Sequence, residues 1–247
     1  KVVFNASNGK MILKGANNQI LNGEAAYNIG KLEINKDAGT VTLTRSMTID
    51  SSITFINGII NTDSTITLKA AVNCSGASNL SFVDGPVKKI GNTAFVFPVG
   101  ASTGYFPLEM TTPSNISDSY LCRYVNRNHG ESDSLDTSIG YLATCGYWQF
   151  NRLNGTSNVK VRLFWDSLGC GVYDTTNLTV ANWNGTLWKD LGNDSISGNK
   201  LCGSIYSEIS VLSFNKIVWA QVVPQAVIVA DLGTNSRSIP EDFFGYN

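Results

Sequence analysis

Helical spacing is almost missing from this chain. Its apolar residues come in short runs that alternate with polar ones, and Gly, Asn or Asp closes most runs. An alternation of period two is what a strand with one buried face requires. In the first seventy residues the clearest runs are 31–34, 41–44, 53–55, 59–60 and 65–68. Thr-rich pieces such as VTLTR and TITLK suit stacked rungs, and their spacing of roughly ten residues fits a sheet stack or a short β-solenoid. Beyond residue 73 the runs lengthen and gain aromatics, notably at 119–125, 146–151, 158–165, 178–183 and 216–220. Val159, Val161 and Leu163 fall on one face, with Lys160, Arg162 and Phe164 on the other, as in a half-buried antiparallel strand. The best helical candidate, residues 134–145, has room for one or two turns.

The segment GPVKKIGNTAFVFPVG, residues 85–100, joins runs at 87–90 and 94–97 through Gly91-Asn92. Such a pair between alternating apolar runs predicts a tight hairpin. The segment holds no carboxylate, His or Cys, and nothing beside Lys88, Lys89 or Thr93 would activate them. It builds architecture.

Hydrophobic residues make up 43% of the 247, ample for a core, while charged residues make up only 15%, well under the usual quarter. The polar surface must come from Asn, Ser, Thr and Gly. Net charge is −1, and no basic stripe exists to neutralise phosphates, so a nucleic-acid partner is excluded. No window approaches eighteen consecutive apolar residues, so no membrane-spanning helix is expected. The first residues have no signal-peptide layout and begin inside a strand-like run, which reads as part of something longer.

Of the five cysteines, Cys74, Cys122, Cys145, Cys170 and Cys202, no two show CxxC spacing. The single His129 does not complete a zinc set. Two readings stay open. The cysteines are buried thiols acting as small hydrophobes, or one or two disulfides form, with Cys122–Cys145 and Cys170–Cys202 the leading pairs.

Catalysis needs a nucleophile with a base, paired carboxylates or a metal. His129 lies in the polar run NRNHGES and reads as a solvated loop residue. Glu131, Asp133 and Asp136 form the densest acidic cluster, a calcium candidate that lacks the EF-hand pattern. No catalytic residue, metal ligand or cofactor is assigned. Exposed aromatics can stack on sugars, but each of Trp148, Trp165, Trp183, Trp188 and Trp219 lies in or beside a strand-like run, where core packing is the commoner role. Trp183 and Trp188 flank an Asn184-Gly185 turn and are the candidates for a glycan-stacking platform.

Three segments together resemble a known family. They are FINGIINTDSTITLK (55–69), GPVKKIGNTAFVFPVG, and YWQFNRLNGTSNVKVRLFW (147–165) followed by VANWNGTLWKDLG (180–192). In that order they are similar to the β-rich modules of very large surface proteins of Bacteroidetes bacteria. The resemblance implies export by the type IX secretion route and display at the surface of a Gram-negative cell as a stalk, adhesin or filament segment. No sorting domain of that route is visible here. In that bacterial group, Asp followed by Ser or Thr and then by Thr or an aliphatic residue resembles an O-glycan acceptor. This implies glycosylation at Ser64, Ser134, Ser167, Thr175 and Ser195, although Asp-Ser/Thr pairs also favour turns by bonding the local backbone. The tail SRSIPEDFFGYN faintly resembles the entry strand of some glycoside-hydrolase barrels, and no activity is carried from it.

The sequence therefore predicts an all-β chain. A stacked-strand or solenoid-like region spans 1–72, an antiparallel β-sandwich spans 73–222, and a terminal strand, linker and start of a following segment occupy 223–247. The leading function is a non-enzymatic spacer or adhesive module of a secreted surface protein, whose partners are neighbouring modules of the same long chain, like subunits or surface polysaccharide. One alternative is a carbohydrate-binding module of a polysaccharide-degrading enzyme. The other is a filament subunit in which residues 239–247 complete a neighbour's sheet edge.

Overall fold

The structure is a computed structural model that describes residues 5–224 apart from 103, 132–133, 169–171 and 173. The expected segment at 223–247, with the tail considered for strand donation, thus lies almost wholly outside the described residues. The described chain is all-β. No helix in it is long and apolar enough to cross a membrane.

The first ten strands wind as coils: β1 (Asn5–Gly15), β2 (Gln19–Leu21), β3 (Tyr27–Lys36), β4 (Val41–Leu43), β5 (Met47–Asn57), β6 (Ile60–Asn61), β7 (Ile66–Leu68), β8 (Asn73–Ser75), β9 (Val83–Asp84) and β10 (Val87–Ile90). Strands β1, β3, β5, β7 and β10 pair in parallel, with β8 beside the second half of β5. Strands β2, β4, β6 and β9 form a separate parallel sheet. The solenoid expectation holds. The ten-residue spacing is the step between strands of the two sheets, so a whole coil takes about twice that length. Tyr27, Met47, Ile66 and Val87 stand in one column, 20, 19 and 21 residues apart. Ile29, Ile49 and Leu68 form the next column and are fully buried. Each such side chain contributes roughly 1.5–3 kcal/mol by leaving water.

Two lysines close coil ends from inside. Lys36 Nζ donates to Asn17 O at 2.7 Å. Lys89 Nζ donates to the carbonyls of Lys69, Ala70 and Ile90 at 3.1, 2.8 and 2.7 Å. Burial holds the Lys89 ammonium below its ordinary pKa. Carbonyls that would otherwise be left unpaired at the coil corners are thereby satisfied.

The remaining strands are β11 (Phe95–Phe97), β12 (Gly100–Ala101), β13 (Gly104–Tyr105), β14 (Leu108–Met110), β15 (Ser119–Val125), β16 (Ile139–Leu142), β17 (Tyr147–Asn154), β18 (Val161–Trp165), β19 (Leu178–Trp183), β20 (Trp188–Asp190), β21 (Ser195–Gly198), β22 (Gly203–Tyr206) and β23 (Lys216–Val222). Strand direction changes at β10, which is parallel to β7 on one side and antiparallel to β15 on the other. The same sheet then continues through β17, β23, β19 and β20, with β16 beside β23. A five-stranded antiparallel sheet, in the order β11-β14-β18-β22-β21, covers its inner face. Phe97 and Phe150 meet across the layers at 5.8 Å, and Trp148 Nε1 donates to Phe106 O at 2.8 Å. One contiguous apolar core runs from Leu13 to Ala220.

Two expectations change. The segment 85–100 is not a hairpin. Both edges of β10 are taken by β7 and β15, so β11 crosses the core and pairs with β14 instead. Gly91, at φ 118°, makes that crossing in a conformation that favours glycine, and its N–H donates to Asp118 O at 2.9 Å. Residues 134–145 hold no helix either. Residues 139–142 instead form β16, which pairs with β23.

Candidate functional site

Trp183 and Trp188 are cross-strand partners near the tip of the β19–β20 hairpin. Its turn forms as predicted: Asn184 Oδ1 accepts the N–H groups of Thr186 and Leu187 at 2.9 and 2.8 Å. Trp188 is no platform, however. It is fully buried, its Nε1–H donates to Glu131 O, and the His129 ring meets it edge-on at 4.8 Å. The physical reason is that the loop after β15 folds over the hairpin and takes the free edge of β20. Leu135 bridges to Trp188, whose N–H donates to Ser134 O and whose carbonyl accepts from Asp136. Trp183 is half-buried against Trp188, with ring centroids 5.6 Å apart.

His129 is likewise not solvated, being 3% exposed. Its Nδ1 accepts the Glu131 N–H at 3.2 Å, so the neutral ring carries its proton on Nε2. That atom is buried without a hydrogen-bond partner among the described residues. Burial lowers the His129 pKa, against a smaller opposing pull from the Glu131 carboxylate. Glu131 is spoken for: Lys216 Nζ donates to both its oxygens at 2.5 and 2.6 Å and to His129 O at 2.6 Å. Asp136 pairs with Lys189 at 3.3 Å, and Asp133 lies outside the described residues. No group of three or more His, Cys, Asp or Glu placed to hold a metal occurs among the described residues.

The expected cysteine pairs separate. Cys122 and Cys202 are free thiols, as is Cys74, while Cys145 is disulfide-bonded. Cys170 lies outside the described residues. The β15–β17 register sets Cys122 opposite Phe150 and Val125 opposite Tyr147. Cys145 therefore starts beyond a strand end already about 10 Å away, past the roughly 7 Å limit for a disulfide. Cys202 is exposed in the β21–β22 turn, its N–H bonded to Asn199 Oδ1 at 3.2 Å.

Of the candidate O-glycan acceptors, Ser134, Ser167 and Ser195 are exposed, and Ser64 and Thr175 are half-buried. Turn chemistry is present at two of the triplets. Asp166 Oδ1 accepts the Leu168 N–H and Asp174 Oδ1 the Thr176 N–H, both at 2.9 Å.

Two concave surfaces were not anticipated. One, about 470 Å³, lies beside β4 and β6 and contains Asp63, Asp84 and Arg123. Arg123 pairs with the exposed Asp63 at 3.2 Å, and burial raises the Asp84 carboxyl while Arg123 opposes that rise. The other, about 480 Å³, is a groove on the outer face of the five-stranded sheet. Phe164, Ser204 and Ser197 lie side by side across β18, β22 and β21, and Tyr105, Asn79 and Asp166 line the groove with them. Asn79 Oδ1 accepts the Tyr105 N–H at 2.8 Å and its Nδ2 donates to Asp166 Oδ2 at 3.0 Å. One signal of this groove was legible: Phe164 alternates onto the same face as Lys160 and Arg162, an aromatic where solvent was expected. The residues at 79, 105 and 197 come from segments too far apart in sequence to be joined without the fold.

No family model matches this chain, and no curated protein or solved structure shows significant similarity to it.

Proposed function

We propose that this chain is a non-catalytic structural and contact module of a secreted bacterial cell-surface protein. The observation that supports this reading best is the unbroken sheet from β1 to β20, in which parallel coils and antiparallel strands share one core. Pulling such a unit apart along its stack requires many ladder hydrogen bonds to fail together, which suits a spacer that bears load. The titratable groups nearest to a catalytic arrangement are engaged structurally. His129 is packed on Trp188, and Glu131 is held by Lys216. The sparse charge and the exposed Ser134, Ser167 and Ser195 suit a glycan-decorated exterior.

Surface display is tested on the source organism with antibodies raised against the chain. Labelling of intact cells, removed by external protease, is the expected result, together with glycopeptides spanning Ser134, Ser167 or Ser195 in mass spectra. Labelling that appears only after lysis overturns the reading.

A further inference from the structure

We propose that the groove on the outer face of the five-stranded sheet binds a neutral glycan, with Phe164 as its stacking floor. This goes beyond the spacer role and does not depend on it. The site sits elsewhere than the β19–β20 hairpin, whose Trp188 is buried.

The donor set carries the assignment. Phe164 is half-buried on the outer face, where its neighbours in register are the buried Ser204 and, beyond it, the exposed Ser197. An aromatic face bordered by hydroxyls matches a pyranose, which has one apolar C–H face and a polar rim. At the groove wall, Asn79 and Asp166 are already oriented. Asn79 Oδ1 is held by the Tyr105 N–H and Asp166 Oδ1 by the Leu168 N–H, at 2.8 and 2.9 Å. Each partner keeps spare capacity: a second amide N–H on Asn79 Nδ2 and a further lone pair on Asp166 Oδ2. A donor next to an acceptor is the complement of a vicinal diol, in which one hydroxyl donates and its neighbour accepts. Because the pair is fixed before binding, little ordering remains for the ligand to impose.

An extended peptide fits less well. Peptides that dock on sheets use a free ladder edge, whereas β18 and β22, which carry Phe164 and Ser204, are each paired on both sides, and only Ser197 reaches the groove from the edge strand β21. At its centre the groove therefore offers the side chains of β18 and β22.

The test is a titration of the chain with neutral hexasaccharides (β-1,4-glucan, β-1,3-glucan, β-1,4-xylan, β-1,4-mannan and α-1,4-glucan), followed by calorimetry and by amide chemical shifts. One or more sugars should bind and shift the amides of Asn79, Tyr105, Phe164, Ser197 and Ser204. Phe164→Ala should weaken binding about tenfold, with Trp183→Ala leaving it within about twofold. The shift map of the unmodified chain decides the matter if Phe164→Ala fails to fold. Absence of binding by all five sugars at roughly 10 mM, shifts confined to another face, or loss of binding in Trp183→Ala but not in Phe164→Ala would each overturn the proposal.

Discussion

The parallel coils and the antiparallel sandwich are two halves of one sheet, yet they are held together differently. In the coils the columns are mostly aliphatic, as in Ile29, Ile49 and Leu68, with an occasional ring such as Phe55 beside Ile34. In the sandwich the same rows fill with rings. The column Tyr27–Met47–Ile66–Val87 runs on through Cys122 to Phe150, and Phe150 packs on Phe97, Tyr120 and Phe214. A coil needs only neighbours like itself, so small β-branched and linear side chains suffice. The sandwich must bridge two sheets roughly 10 Å apart, and aromatics span that gap while their polar tips anchor to backbone. Trp148 does so through Nε1 to Phe106 O at 2.8 Å, while Trp165 Nε1 donates within its own sheet to Asn199 O at 2.9 Å.

Phe150→Ala should produce the largest effect, about 3–5 kcal/mol of lost stability in urea unfolding. If the column couples the halves, unfolding remains one cooperative transition, and amides of β3 and β5 lose exchange protection together with those of β17. Protection retained in the coils while the sandwich exchanges would break the coupling and make the halves separate folding units.

The second effect is a pH dependence confined to the sandwich. The unfolded His129 titrates near its ordinary value of about 6.5, and burial holds the folded value lower. Between the two values the unfolded chain binds more protons, so stability is complete above about pH 6.5 and declines as pH falls toward the folded pKa. Because His129 is the sole histidine, its ring resonance reports this directly. A folded-state midpoint at or above the ordinary value would remove the effect, and with it the dry His129–Trp188 contact.

How much of this was legible follows from what alternation encodes. It places each side chain on a face, and so β10, β15 and β19 were predicted with their observed bounds. It does not say which strand lies alongside. The run after Gly91 therefore read as a hairpin, although both edges of β10 were already occupied. It is also silent on what folds over a strand: His129, in a polar run, read as solvated, yet it is buried against Trp188, and residues 134–136 close the edge of β20. The groove failed to appear for the same reason, since Asn79 and Asp166 lie 87 residues apart.

The smallest effect changes no stability and still separates the two halves. Cys74 marks the coils, in register with Ile53, and its thiol is pushed up to about 12 by burial. Cys122 lies in the sandwich half of the shared column, fully buried and raised well above its ordinary value. Only Cys202 is exposed among these three free thiols. Since the thiolate is the nucleophile, a small disulfide reagent at neutral pH should modify Cys202 rapidly in the native chain. Cys74 and Cys122 should react only as the chain opens. If one cooperative unit is correct, peptide mapping finds these two labelled at the same rate across a urea series. Earlier labelling of Cys74 would mean that the coils open first, and earlier labelling of Cys122 would mean that the continuous column fails at the junction where strand direction reverses.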